Sequence, residues 1–161
     1  MNETIANIKK TLYSISNKNL IGTLKPEDML IVPKGWGWER WLWNNEDYCC
    51  KELFFFRGKR CSWHYHEKKD ETFRILTGRL LIDYSMEDCL YSNEMINNMI
   101  VKEPDDRLNF QLMSWSIVEP GDVFHIPRGL RHRMTGMTDC LFIEVSTQHF
   151  EEDSIRLVKG N

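Results

Sequence analysis

Short segments in which apolar side chains alternate with polar ones, or run together, cover most of the chain, and turn residues separate them. Such segments predict β-strands, and there are ten of them: residues 30–32, 39–43, 48–56, 62–66, 71–76, 79–84, 115–118, 123–126, 131–135 and 140–146. Many short strands with Gly and Pro between them predict an all-β domain, closed or sandwiched, with antiparallel sheets.

A helical pattern precedes the strands. Ile5, Ile8, Leu12 and Ile15 follow a 3-4-3 spacing, which predicts an amphipathic helix within residues 4–16. We therefore expect a helical extension over residues 1–24 and a single domain over residues 25–161. The apolar face of this helix, together with the apolar segment 53–56, predicts a homodimer.

One polar segment, residues 86–111, interrupts the run of strands and is rich in Asn, Met, Asp and Glu. Residues 93–101 could form a short helix within it, with Pro104 after its end. Long connections in small domains are usually functional or mobile. We expect either a flap near the mouth of the barrel or an oligomer contact.

Composition narrows the function classes. The net charge of −3 argues against a general nucleic-acid binder. No signal peptide, with basic residues before an apolar stretch, is visible, and no apolar run is long enough to span a bilayer. The five cysteines form no C-x-x-C pair, which is typical of reduced thiols in a cytoplasmic protein. Strand alternation predicts that Cys61 faces away from the nearby His64.

Two separated segments carry the candidate chemistry. The first, from Gly58 to Gly78, reads G-x5-H-x-H-x4-E-x6-G, and the second, from Gly121, reads G-x5-P-x-G-x2-H. Alternation along a strand puts the two histidines of the first segment on one face. Three imidazoles and one carboxylate suit a divalent metal ion. The predicted ligands are His64, His66, Glu71 and His132.

These two segments resemble the paired motifs of the cupin family. The resemblance implies a double-stranded β-helix, the cupin jelly roll, with one divalent metal ion inside the barrel. Soft ligands are absent, so Zn, Fe, Mn, Ni and Co all stay open.

Both ends of the domain resemble the C-terminal cupin domain of type II mannose-6-phosphate isomerases. The likeness lies in Trp36-Gly37-Trp-Glu-Arg-Trp-Leu, in the segment from Ile143 to Arg156, and in the pair His132-Arg133. It implies aldose–ketose isomerisation of a sugar or sugar phosphate, in which a metal polarises the substrate carbonyl. Glu144 is then a candidate base, although a carboxylate that pairs with an arginine is an equal alternative.

Arginines near His132 and the tryptophans are candidate substrate contacts. Arg128, Arg133 and Arg156 could bind a phosphate, and Arg133 could also assist catalysis; the alternative is that they are solvated charges at strand ends. Trp36 could stack on a sugar ring, whereas core packing is the alternative for each tryptophan. His125 and His149 are interpreted as structural residues.

Three function classes stay open. The leading one is a metal-dependent sugar or sugar-phosphate isomerase. The others are a metal-dependent dioxygenase or lyase on a small molecule, since the same ligand set serves Fe(II) chemistry, and a non-catalytic sugar-binding cupin.

Overall fold

The computed structural model describes residue 25 and residues 29–161. The helix predicted for residues 4–16 lies outside these described residues. The described part contains eleven β-strands: β1 (Leu30–Lys34), β2 (Gly37–Asn44), β3 (Cys49–Phe55), β4 (Trp63–Tyr65), β5 (Glu71–Thr77), β6 (Leu80–Ser85), β7 (Ser114–Val118), β8 (Val123–Ile126), β9 (Arg131–Gly136), β10 (Cys140–Ser146) and β11 (Ile155–Val158). One short α-helix, Asn93–Asn97, and 3-10 helices at Pro104–Arg107, Phe110–Leu112 and Glu151–Asp153 complete the elements of this part.

The strands form two antiparallel sheets. One has six strands in the order β1-β2-β3-β10-β5-β8, and the other has five in the order β11-β4-β9-β6-β7. This arrangement confirms the predicted all-β jelly roll. All ten predicted strands are present, and β11 is an additional strand that the sequence pattern did not predict.

The core fills the space between the inner faces of the two sheets. Along β3 every second side chain is buried, as expected for a strand with one face inward. The residues of this core share almost complete burial: Leu53, Phe55, Cys61, Phe73, Ile75, Leu80, Ile82, Val118, Ile126, Leu130, Met134, Cys140 and Phe142. Removal of such apolar surface from water stabilises the fold by about 1.5–3 kcal/mol for each large side chain.

The turn between β5 and β6 explains one motif residue. Gly78 has a φ of 78°, in the left-handed region that favours glycine. A Cβ at this position would collide with the backbone of Asp139. The motif glycine therefore allows two turns at one end of the barrel to lie against each other.

The polar segment 86–111 lies against the outer face of the five-stranded sheet. Its Cys89 and Leu108 pack with Trp63 of β4 and Val158 of β11 in a second apolar cluster, separate from the core between the sheets. No residue of the segment lines the cavity described below. The segment therefore does not occupy the position of the predicted flap at the mouth. Within residues 29–161 no helix has both the length and the apolar character that a membrane crossing requires.

Candidate metal centre

Two of the predicted ligands meet across a pair of strands. His64 on β4 is the direct partner of His132 on β9, and their ring centroids lie 4.3 Å apart. His66 follows two residues after His64 on the same face, with a ring-to-ring distance of 5.1 Å. One nitrogen from each of the three rings lies within 4.8 Å of the others. The three buried histidines thus form a potential metal site between the sheets.

Hydrogen bonds determine which nitrogen each ring offers. Each Nδ1 lies close to a backbone carbonyl oxygen, at 2.8 Å for His64, 2.9 Å for His66 and 3.0 Å for His132. A carbonyl only accepts, so each Nδ1 carries the proton and each Nε2 keeps its lone pair. This pattern is the usual support that neighbouring groups give to metal-binding histidines.

The protonation of the three rings also suits a cation. Burial lowers the pKa of His66 to about 4 and lowers the pKa of His64 and of His132 below the ordinary value. All three imidazoles are therefore neutral near pH 7. A neutral imidazole is the form that binds a metal ion.

Glu71, the fourth predicted ligand, lies next to two of the three histidines. Its Oε2 lies 3.7 Å from His66 Nε2 and 3.5 Å from His132 Nε2. Among the described residues, neither Glu71 Oε2 nor His132 Nε2 finds a hydrogen-bond partner, and both atoms are buried. Buried polar atoms without a partner are costly. Ligand atoms about 2.1 Å from one ion would lie about 3–4 Å apart, so a divalent cation fits these atoms and would satisfy them.

Asp153 shapes the loop between the second histidine and the carboxylate. Its side chain accepts hydrogen bonds from the backbone N–H groups of residues 67–69 at 2.9–3.3 Å. Its backbone carbonyl oxygen accepts the hydrogen bond from His66 Nδ1. One buried residue from the end of the chain therefore positions both His66 and the turn that leads to Glu71.

A buried lysine links the candidate ligand to the candidate base. Lys69 Nζ lies 2.5 Å from Glu71 Oε1 and 2.9 Å from Glu144 Oε1. Burial alone would lower the pKa of Lys69, but the two carboxylates raise it above the ordinary value. Burial alone would raise the pKa of Glu144, but Lys51 and Lys69 hold it well below its usual range. Glu144 is therefore an ionised carboxylate and a weak base, and its partners are lysines rather than the arginine of the predicted alternative.

A cavity of about 360 Å³ opens beside the histidines. Its lining is rich in charged side chains: Lys34, Glu39, Lys51, Lys69, Glu71, Glu144, Glu151, Arg156 and Lys159. Trp36 also lines it, and its ring stacks on Phe55 with centroids 4.1 Å apart. Trp36 therefore both packs on the core and lines the cavity.

The predicted arginines are not all close to this cavity. Arg156 lines it, is exposed, and lies 3.4 Å from Glu151. Arg128 is exposed on a turn, where its Nε donates to the carbonyl oxygen of Lys68. It does not line the cavity, so its position does not match the predicted phosphate contact.

Arg133 lies on the face of β9 opposite His132. It is 4% exposed, and its guanidinium donates to Asp83 at 3.0 and 3.2 Å and to Asp105 at 2.7 Å. Asp105 belongs to the segment 86–111, so this ion pair ties that segment to the outer face of the sheet. The position of Arg133 therefore does not match the predicted roles in catalysis and phosphate binding.

Three residues that the sequence analysis did not assign to the site line the cavity. Lys51 and His149 lie side by side there, with Lys51 Nζ 3.1 Å from His149 Nδ1. Alternation of side chains along β3 points Lys51 inward, and this alternation could have identified it from the sequence. Cys61 was predicted to face away from the histidines, but it belongs to the core and lines the cavity. The prediction was wrong because Cys61 precedes β4, where strict alternation does not hold.

The comparisons with known proteins establish the class of fold. No protein-family model matches the sequence, and no curated protein matches it either. Among solved structures, the chain is similar to the capsular polysaccharide assembling protein CapF from Staphylococcus aureus, with 18% identity over 80% of this chain, 34% of that chain and a TM-score of 0.59. It is also similar to KdgF from Halomonas sp., with 13% identity over 83% of this chain, 98% of that chain and a TM-score of 0.59.

A third similar structure is a variant of oxalate decarboxylase from Bacillus subtilis, with 14% identity over 88% of this chain, 34% of that chain and a TM-score of 0.60. The chain therefore spans about a third of the CapF and oxalate decarboxylase chains and nearly all of KdgF. At these identities the likeness establishes the fold alone. The protein has the cupin fold, and its resemblance to mannose-6-phosphate isomerases stays a prediction.

Proposed function

We propose that the protein is a metal-dependent enzyme that acts on a small, oxygen-rich molecule of the sugar or sugar-derivative class, with aldose–ketose isomerisation as the leading reaction. One observation carries the proposal. One nitrogen each of His64, His66 and His132 lies within 4.8 Å of the others, and the unpartnered Glu71 Oε2 lies 3.7 Å from His66 Nε2 and 3.5 Å from His132 Nε2, beside a cavity large enough for a sugar. Three neutral histidines and one carboxylate would hold one divalent ion there.

Such an ion, when bound, would polarise a substrate carbonyl and stabilise negative charge that develops on its oxygen. The residues of the chain would supply position and charge. Lys69 stays protonated between two carboxylates and holds Glu71 by one oxygen, which leaves the other oxygen toward the histidines. Trp36 would give the substrate an apolar surface at the wall of the cavity. The proposed assembly is a homodimer.

A second candidate is a metal-dependent lyase or dioxygenase. It is favoured by the position of Glu144, whose carboxylate is held by Lys69 at 2.9 Å and is therefore a poor base for removing a proton from carbon. Oxalate decarboxylase, one of the similar structures, is known in a form with Mn(II) centres.

Metal analysis and a substrate panel test the proposal. The purified protein is loaded separately with Mn, Fe, Co, Ni and Zn, and neutral, acidic and phosphorylated sugars are followed by NMR in D₂O. Isomerisation exchanges a carbon-bound hydrogen for deuterium, whereas oxygen uptake indicates the second candidate. His132→Ala is expected to lower metal occupancy and abolish turnover. Full metal content in this variant, or no reaction and no oxygen uptake with any metal, would overturn the proposal.

A further inference from the structure

Lys51 occupies an unusual place for a lysine. It points inward from the middle of β3, between Cys49 and Leu53 on the same face, and it is 1% exposed. Lysine is almost never fully buried unless its charge is paired closely. The groups around its ammonium therefore indicate the function of this buried charge.

The ammonium group has few hydrogen-bond partners among the described residues. Its Nζ lies 3.1 Å from His149 Nδ1 and 3.9 Å from the centre of the Trp41 ring. Glu39 Oε2 and Glu144 Oε1 are each 3.9 Å away, which is beyond hydrogen-bond range. An ammonium has three N–H donors. One of the three finds an acceptor at normal distance in the described part of the chain, and Lys51 lines the cavity.

The two neighbouring carboxylates are held by other donors. Glu39 accepts from Trp41 Nε1 at 3.1 Å and pairs with Lys34 at 3.3 Å. Glu144 accepts from Lys69 at 2.9 Å and, through the same oxygen, from a serine hydroxyl. These contacts keep both carboxylates out of hydrogen-bond range of Lys51. The ammonium therefore keeps at least one donor that no hydrogen-bond acceptor among the described residues takes, in a residue that lines the cavity.

The charge of the cavity favours an anion. Its lining includes five cationic side chains and four anionic ones, and a divalent metal ion would add two further positive charges. Phosphate sites usually bring several donors, often arginines, to one dianion. Of the three predicted arginines only Arg156 lines the cavity, where it lies 3.4 Å from Glu151, and two carboxylates flank Lys51 at 3.9 Å. That setting suits a carboxylate with one charge better than a phosphate dianion.

We infer that Lys51 binds a carboxylate oxygen of the substrate, so that the substrate class is a sugar acid or a related hydroxy acid. This inference deepens the proposed function and rests on it for the place of the metal. The carboxylate would bind at Lys51 and the hydroxyl or carbonyl oxygens would lie toward the histidines. His149 would position the ammonium through its Nδ1.

Binding calorimetry with matched sugars tests the inference without reliance on turnover. The probes are D-glucose, D-glucuronate, D-gluconate and D-glucose 6-phosphate, titrated into the metal-loaded and the metal-free protein. Lys51→Met removes the charge at similar volume, Lys51→Arg keeps the charge, and Lys59→Met is a matched control at an exposed lysine outside the cavity lining.

The native protein is expected to bind at least one of the two sugar acids about tenfold or more tightly than glucose, and more tightly than the sugar phosphate. Lys51→Met should weaken that acid about 10- to 150-fold, since a charge-assisted hydrogen bond is lost. It should change glucose affinity less than about threefold and leave metal content unchanged. Lys51→Arg should retain part of the preference, and Lys59→Met all of it.

The inference is overturned if the native protein binds glucose or the sugar phosphate more tightly than the acids, or binds neither acid. This result counts even if the variants do not fold. Equal weakening of acid and glucose by Lys51→Met also overturns it. A preference for the acid with no turnover under any metal overturns only the proposed reaction. Absence of metal overturns the proposed function, while acid binding to the metal-free protein still tests Lys51.

Discussion

Mild acid should destabilise the metal-free protein, and the structure gives a magnitude for one contributing group. Burial lowers the pKa of His66 from 6.5 to about 4. Between these values the unfolded chain binds a proton that the folded protein does not bind, so the free energy of unfolding falls as the pH falls. At about 1.4 kcal/mol for each unit, a change from pH 7.5 to pH 5 should cost about 2 kcal/mol from His66 alone.

Other groups either add to this effect or act outside its pH range. The pKa values of His64, His132 and His149 are also lowered by burial, so each adds to the loss in the same direction. The lowered pKa of Glu144 matters mainly below about pH 4.5, where the unfolded carboxylate takes up its proton. Stability lost between pH 7.5 and pH 5 therefore reports mainly on the buried histidines.

Urea unfolding of the metal-free protein at a series of pH values measures this loss. His66→Asn keeps an N–H near the position of Nδ1 but cannot titrate, so its unfolding free energy should depend less on pH by about 2 kcal/mol over the same range. Unfolding that is independent of pH from 7.5 to 5, or a protein more stable at pH 5, would refute the reasoning. If His66→Asn keeps the native pH dependence, His66 does not contribute the roughly 2 kcal/mol assigned to it.

Three further predictions concern the ion pairs and the assembly. Lys69→Met leaves Glu71 and Glu144 buried without their shared cation, so it should lower the unfolding free energy in urea by about 3–5 kcal/mol at pH 7.5; a loss below about 1 kcal/mol would contradict the pairing. Arg133→Met should lower the unfolding free energy by a similar amount and speed amide hydrogen exchange around Asp105. Unchanged exchange there would argue that Arg133 does not hold segment 86–111 against the sheet. Light scattering at micromolar concentration should give a dimer mass, and a monomer would count against the predicted homodimer.

The strands could be predicted because their signal is local. Alternation of side chains depends on the pleat of each strand, and along β3 it buries every second residue. The same rule, applied within β9, also predicts that Arg133 faces away from His132, but the resemblance to an isomerase motif outweighed it. The rule failed for Cys61 because that residue precedes the regular part of β4. The helix Asn93–Asn97 lies where a helix was predicted, and a 3-10 helix begins at Pro104 after it.

The sequence by itself determined the class of fold and the candidate ligands, because two spaced motifs bring three histidines and a carboxylate to strands of known alternation. Only the tertiary structure decided what surrounds them. Lys51 and Lys69 are far along the chain from Glu144 and His149, and their contacts depend on the pairing of β3 with β10 and on the loops beside those strands. The placement of segment 86–111 on the outer face likewise depends on apolar packing between distant residues, which no local pattern contains.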